Sequence, residues 1–334
     1  MTGQQSETKP CKIRGVKITP ISSSGQVEHL TVAAEYDGQR IDNFLLRHLK
    51  GVPKTLIYRI LRRGEVRVNK GRIKPTYRVQ AGDEIRIPPL RRGASESINP
   101  SRGSIAAIQN RILYEDERLI IINKPCGMAV HGGSGVSYGV IEAMRHWRQD
   151  LHYLELVHRL DRETSGCLVL AKKRSALRQL HELFRTGGVD KRYLALVRGR
   201  WTLGKQTIDV PLRKNTLRSG ERVVRVSAEG KQAVSIFRPL AIGDMASLLE
   251  VDIQTGRTHQ IRVHAAHAGH PIAGDDKYGD DGFNRQIRRL GCPRLFLHAR
   301  SLAFTLEEPH KSIAVNAPLD PELEQILDKL GLTL

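Results

Sequence analysis

Apolar positions fall at helical spacing once the chain leaves its polar start. Ile41, Phe44, Leu45 and Leu49 stand at i, i+3, i+4 and i+8, which predicts an amphipathic helix. Beyond Gly51-Val52-Pro53, a second helix is predicted on Leu56, Ile57, Ile60 and Leu61, ended by Gly64. Glu65-Val66-Arg67-Val68-Asn69 then alternates like a strand into the turn Asn69-Lys70-Gly71. Gly82-Asp83 leads into another strand over residues 84–88. Residues 38–90 therefore read as one small unit of two helices and short strands. Before it, residues 1–28 are rich in Ser, Gly and Thr and are expected to be disordered. After it, residues 91–106 carry little periodicity and are expected to form a linker.

From 107 to 334 short apolar strands alternate with a few helices. Ile112-Leu113-Tyr114 and residues 119–122 flank Glu115-Asp116-Glu117, a predicted hairpin. Helices are expected at 138–148, 174–185, 259–268 and 320–330. Strands are expected at 167–172, 193–198, 206–211, 233–238, 246–253 and 295–304. More strand than helix in mixed order predicts an α+β domain on a mixed, largely antiparallel sheet. No internal repeat is visible.

Composition adds one strong feature. The 334 residues hold 54 Lys+Arg against 35 Asp+Glu, a formal net charge of +19. Residues 37–92 alone contribute +10 of it. Such density on one small unit points to a polyanion, usually nucleic acid. No apolar run approaches the ~20 residues of a membrane span. The N-terminus has no apolar core of a secretory signal. Four scattered cysteines form no C-x-x-C pair and suit a reducing cytoplasm. Phosphate-cradling glycine motifs are missing, so no nucleotide cofactor is expected.

Chemistry-bearing residues gather in three runs. Val157-His158-Arg159-Leu160-Asp161-Arg162-Glu163-Thr164-Ser165-Gly166 is dense in polar groups between two apolar segments. On its neighbours alone, Asp161 is either a turn aspartate held by an arginine or a functional carboxylate. In Gln254–His264, Thr258 reads as a helix N-cap and Arg262 as a partly buried arginine that needs a carboxylate partner. His259 and His264, at i and i+5, share no helix face and read as structural histidines, so no metal is expected. Gly274–Gly282 lacks the glycine spacing of a calcium loop and reads as a polar loop. Tyr193, in Lys191-Arg192-Tyr193, reads on periodicity alone as a core tyrosine.

HRLDRETSG at 158–166, K-x-Y at 191–193 and GRTHQIRVH at 256–264 resemble, in order, the three motifs of the RluA-type pseudouridine synthases. Asn123-Lys124-Pro125, Gly127 and Val130-His131 resemble a further segment of that family. Residues 38–90 resemble the S4 RNA-binding domain through Arg40-Ile41-Asp42, residues 64–69 and Ala81-Gly82-Asp83. The resemblance implies an isomerase that turns uridine into pseudouridine on a flipped-out base, with neither metal nor organic cofactor. It implies Asp161 as nucleophile, Arg262 as its electrostatic holder and Tyr193 as a stacking platform. Ile261 would wall the pocket, and Arg159 would fill the vacated gap or hold a neighbouring phosphate. In the S4-like unit, Lys54, Arg59, Arg62, Arg63, Arg67, Lys70 and Lys74 would grip RNA through its backbone. The expected partner is 23S ribosomal RNA, engaged by a cytoplasmic monomer. A non-catalytic RNA-binding assembly factor and a synthase acting on transfer RNA are the alternatives.

Overall fold

A computed structural model describes residues 26–49, 51–90, 100–133, 138–216, 222–307 and 310–332. The chain divides into two compact units, Met1–Ile98 and Asn99–Leu334. Among the described residues no helix is long and apolar enough to cross a membrane.

The first unit runs β1 (Glu28–Thr31), α1 (Ile41–His48), α2 (Lys54–Arg62), β2 (Arg67–Val68), β3 (Gly71–Arg72) and β4 (Glu84–Ile87). Its antiparallel sheet has the order β1-β4-β2-β3. The predicted apolar faces of both helices are buried against Val66, Val68, Ile85 and Ile87. Each such side chain contributes about 1.5–3 kcal/mol of burial.

Two buried aspartates brace the unit. Asp42 accepts hydrogen bonds from Arg40 Nε (3.1 Å), Arg40 Nη2 (2.7 Å) and the Tyr58 hydroxyl (2.8 Å), which locks α1 to α2. Asp83 accepts from Asn69 Nδ2 (2.8 Å), the Tyr77 hydroxyl (2.9 Å) and the Gln80 amide (2.8 Å). The strand expected over 65–69 shrinks to Arg67–Val68, because Asn69 (φ 48°) and Lys70 (φ 66°) turn the chain in left-handed backbone. The sheet also takes in Glu28–Thr31, ahead of residue 38 and overlapping the segment expected to be disordered. Pairing with β4 supplies the order that four residues lack alone. Gln26 and Val27 have no regular structure, and residues 1–25 lie outside the described residues.

The second unit begins with α3 (Arg102–Gln109), β5 (Ile112–Glu115), β6 (Leu119–Lys124), α4 (Val140–Trp147), β7 (Glu155–Leu156) and β8 (Ser165–Ala171). It continues through α5 (Arg174–Thr186), β9 (Val189–Arg198), β10 (Gln206–Asp209), β11 (Leu212–Thr216), β12 (Arg222–Val226), β13 (Val234–Ile242) and β14 (Ala246–Ile253). It ends in α6 (Gln260–His267), α7 (Asp281–Arg289), β15 (Leu297–Glu307), β16 (His310–Asn316) and α8 (Pro321–Leu330). Among the described residues, ten strands form one sheet of order β10-β13-β14-β9-β15-β8-β6-β5, with β16 on β15 and β7 on β8. Of these pairings only β8–β15 is parallel, so the sheet is mixed and largely antiparallel, as the element order predicts. The β11–β12 ribbon stands apart from it.

Two helices depart from the sequence reading. The C-terminal part of the expected linker is α3, started by the Ser101 hydroxyl accepting from the Ser104 amide and anchored by buried Ile108. Residues 91–99 of that linker lie outside the described residues. The polar run read as a loop ends in α7, capped by Asp280, whose carboxylate accepts from the Phe283 amide at 2.7 Å.

The sheet also fixes one close approach. Gly166 on β8 and Tyr193 on β9 both lie opposite Ala299 on β15, so the three stand in one row across the strands. Gly166 has φ +108°, and a β-carbon there would sit 2.3 Å from the Ala299 carbonyl oxygen. Only glycine fits. This contact sets the loop before β8 one strand away from β9, which carries Tyr193.

Candidate active site

The loop Val157–Thr164 between β7 and β8 is clamped from below. Lys124, fully buried at the end of β6, donates to the carbonyls of Pro125 (2.8 Å), Met128 (2.8 Å) and Arg162 (3.1 Å). Burial pushes its amine down to about 8, opposed by Cys126, Glu163 and Asp161. Gly127 and Arg162 add a reciprocal pair, the Gly127 amide to the Arg162 carbonyl at 2.9 Å and Arg162 Nε to the Gly127 carbonyl at 3.0 Å. At the other end of the loop, His158 Nε2 accepts the Val169 amide at 3.1 Å while its ring stacks on Phe184. That enclosure pushes the His158 imidazole down to about 4, so it stays neutral and fixed.

Asp161 stands on this loop in a cleft of about 800 Å³, partly open to solvent. Tyr193, Ile261, Arg262 and Arg159 line the same cleft, so every catalytic-unit residue singled out from sequence meets there. Tyr193 is buried; burial first, and the charge of Asp161 second, push its phenol well above the ordinary value and keep it neutral. Ile261 is buried in the first turn of α6. Arg159 is exposed at the rim.

Arg262 is fixed by a carboxylate that the sequence reading did not name. Its hydrogen-bonded partner is Asp275, not Asp161: Nε reaches Oδ2 at 2.7 Å and Nη2 reaches Oδ1 at 2.6 Å. Burial alone would raise the Asp275 carboxyl. The two Arg262 bonds, with the amides of Tyr278 and Lys277, instead hold it below the usual range. Asp161 attracts the guanidinium only through space. The side chain that faces Asp161 closely is His259, with Nε2 3.9 Å from Oδ2. Asp275 and His259 escape a reading of sequence because 274–282 looked like a plain polar loop and His259 like a structural residue.

The segment before α6 is also built differently from expectation. His259, not Thr258, is the N-cap of α6, in left-handed backbone at φ 53°. No side chain caps α6; Gln260 instead braces the turn before it, its Oε1 accepting the Thr255 hydroxyl (2.7 Å) and the Arg257 amide (3.0 Å). Its amide nitrogen donates to the Val234 carbonyl and the Ser235 hydroxyl, both at 2.9 Å. His264 matches its structural reading, held between Ser235 Oγ (3.0 Å) and the Val210 carbonyl (3.2 Å).

The basic candidates for RNA contact belong to the first unit. Lys54, Arg59, Arg62, Arg63, Lys70 and Lys74 are exposed and Arg67 is half-buried. Lys54, Arg59 and Arg62 lie on α2, Arg63 just beyond it, and Arg67 on β2.

A family model described as RNA pseudouridylate synthase matches residues 118–267, and one described as S4 domain matches residues 39–85. The chain is 55% identical to Ribosomal large subunit pseudouridine synthase C of Pasteurella multocida, over 91% of this chain and 94% of that protein. It is 54% identical to the protein of the same name from Escherichia coli strain K12, over 91% and 97%. Among solved structures it resembles Human RNA Pseudouridylate Synthase Domain Containing 4, with a TM-score of 0.57 and 29% identity over 69% of this chain and 96% of that one.

Proposed function

The chain belongs to the RNA pseudouridylate synthase family, isomerases of uridine in RNA, and on that premise we propose that it modifies specific uridines of 23S ribosomal RNA with Asp161 as nucleophile. The observation that carries the reading is Asp161 in a cleft walled by a neutral tyrosine, with the Arg262–Asp275 pair behind it.

The reaction breaks the C1′–N1 bond and forms C1′–C5. The hydrogen on C5 leaves as a proton and N1 gains one, so nothing is oxidised or reduced. A target uridine in a stem must first be everted, at a cost of a few kcal/mol in lost stacking. An ionised carboxylate beside that nucleotide is the covalent catalyst. Tyr193, held neutral, stacks on the uracil ring and has a proton to donate. Ile261 closes the wall. Arg262 fixes positive charge near Asp161 without being consumed by it, because its forked hydrogen bonds go to Asp275. Arg159, at the rim, holds the phosphate next to the everted nucleotide.

Lys54, Arg59, Arg62, Arg63, Arg67, Lys70 and Lys74 hold the RNA backbone. These contacts position the substrate without reading its sequence. We take the working form to be a cytoplasmic monomer that needs no nucleotide cofactor.

The test is to map pseudouridines in 23S RNA from cells lacking the protein, complemented with wild type or Asp161→Asn. Sites that vanish on deletion, return with wild type and stay absent with Asp161→Asn are expected. RNA affinity of the variant should change by less than about tenfold, or 1.4 kcal/mol. Loss confined to transfer RNA would move the substrate assignment. Normal conversion by Asp161→Asn would remove the nucleophile assignment.

A further inference from the structure

His259 lines the cleft beside Asp161 and has no part in the mechanism above. It approaches Asp161 from the α6 side, with Nε2 3.9 Å from Oδ2. Its other nitrogen, Nδ1, lies 2.7 Å from the Tyr278 hydroxyl, and the two rings meet edge to face with centroids 5.5 Å apart. The tautomer follows from the two partners of the ring. The Asp161 carboxylate, an acceptor, faces Nε2 and favours the proton there, while the Tyr278 hydroxyl, whose oxygen already accepts the Val224 amide at 2.9 Å, turns its own proton to Nδ1. Nδ1 is then an acceptor, and in a neutral imidazole the remaining proton sits on Nε2, the nitrogen that faces Asp161.

The ring is held neutral for a physical reason. Burial disfavours its charged form, Arg262 and Lys277 repel it, and the attraction of Asp161 and Asp275 does not make up the difference. The backbone is committed as well. His259 stands at φ 53°, an uncommon conformation for a residue with a β-carbon, and this turn directs the ring toward the cleft before α6 begins. Strain of this kind is kept where surrounding structure over-determines it.

We propose that His259 is a positioning residue for the nucleophile: fixed by Tyr278 as the Nε2–H tautomer, it presents a proton to the Asp161 carboxylate and orients it toward the everted nucleotide. The proposal rests on Asp161 being the nucleophile. At 3.9 Å this is an oriented dipole and not a made hydrogen bond. Its effect therefore falls on the chemical step and not on RNA binding.

The experiment compares His259→Gln with His259→Asn in full-length protein acting on a 23S RNA fragment, with Asp161→Asn alongside. A Gln side-chain amide reaches the position of Nε2, whereas Asn reaches only that of Nδ1. Asn is, however, the more comfortable residue in left-handed backbone. Expected is a kcat for His259→Gln within about threefold of wild type and a fall of about tenfold or more for His259→Asn, with KM within about threefold for both. A purely conformational role predicts the reverse order, so Asn equal to or better than Gln overturns the proposal.

Tyr278→Phe covers the case in which Gln does not fold. It keeps the ring and the native His259 but removes the hydroxyl that fixes the tautomer, and kcat should fall severalfold at unchanged KM. An unchanged kcat overturns the proposal. Activity retained by Asp161→Asn would instead overturn the nucleophile reading, whatever the His259 variants do.

Discussion

Arg262 and Asp275 form a closed, forked ion pair, with Nε to Oδ2 at 2.7 Å and Nη2 to Oδ1 at 2.6 Å, and both side chains are buried. Removing one charge from such a pair strands the other in a low-dielectric site. Asp275→Asn should therefore cost about 3–5 kcal/mol of folding stability, read from urea denaturation. Asp161→Asn, on a side chain more open to solvent, should cost far less. Equal losses for the two would mean that the pair does not carry the strength its geometry suggests.

Gly166→Ala should be disruptive despite its small size. The added carbon would lie 2.3 Å from the Ala299 carbonyl oxygen, in backbone at φ +108° that alanine avoids. Separating β8 from β15 enough to admit it costs about 1–3 kcal/mol in overpacking, with backbone strain of similar size on top. Pseudouridine formation should be lost along with stability. Wild-type melting and activity in the variant would contradict so close a pairing of β8 with β15.

Stability should decline on acidification through the histidine range. His298 is fully buried: it accepts the Ser165 hydroxyl at Nδ1 (2.9 Å) and donates from Nε2 to the Ala317 carbonyl (3.2 Å). Burial pushes it down to about 4, as it does His158. An unfolded histidine takes up its proton near 6.5. Between about 6.5 and 4 the unfolded chain thus binds more protons than the folded one, and stability falls as pH falls. Each histidine contributes at most about 1.4 kcal/mol per pH unit in that window. Urea midpoints at stepped pH should flatten in His298→Gln, whereas an identical slope would assign the effect elsewhere.

Binding through the first unit should be strongly salt-dependent. Lys54, Arg59, Arg62 and Arg63 are exposed on or just beyond α2. Each contact to a duplex phosphate contributes about 0.9 to the log–log salt slope. Replacing Arg59 and Arg62 with Gln should lower the slope by about two and weaken binding similarly across RNA sequences. An unchanged slope would place the RNA on another surface.

Periodicity alone revealed the two helices of the first unit and most strands of the second, because their apolar faces repeat over enough residues to show. The HRLD loop and the strand of Tyr193 were legible as motifs. What stayed hidden was pairing across distance. Nothing in Arg262's surroundings along the chain says whether Asp161 or Asp275 will meet it; that depends on how the loop after α6 returns to the cleft. α3 was masked by its Pro-, Ser- and Arg-rich approach, and α7 by the acidic run before it. Lys124 looked like one residue of a motif until three carbonyls closed around its amine.

The place of β15 in the sheet has a consequence for how the protein is made. Asp161 and Tyr193 lie on strands and loops that emerge early from a ribosome, yet β8 and β9 are not neighbours: β15, more than a hundred residues later, is the strand between them. During synthesis the basic first unit can complete its own core while the cleft still lacks its keystone. A nascent chain halted before Leu297 would hold RNA without modifying it, and catalysis would begin only once the last strands are delivered.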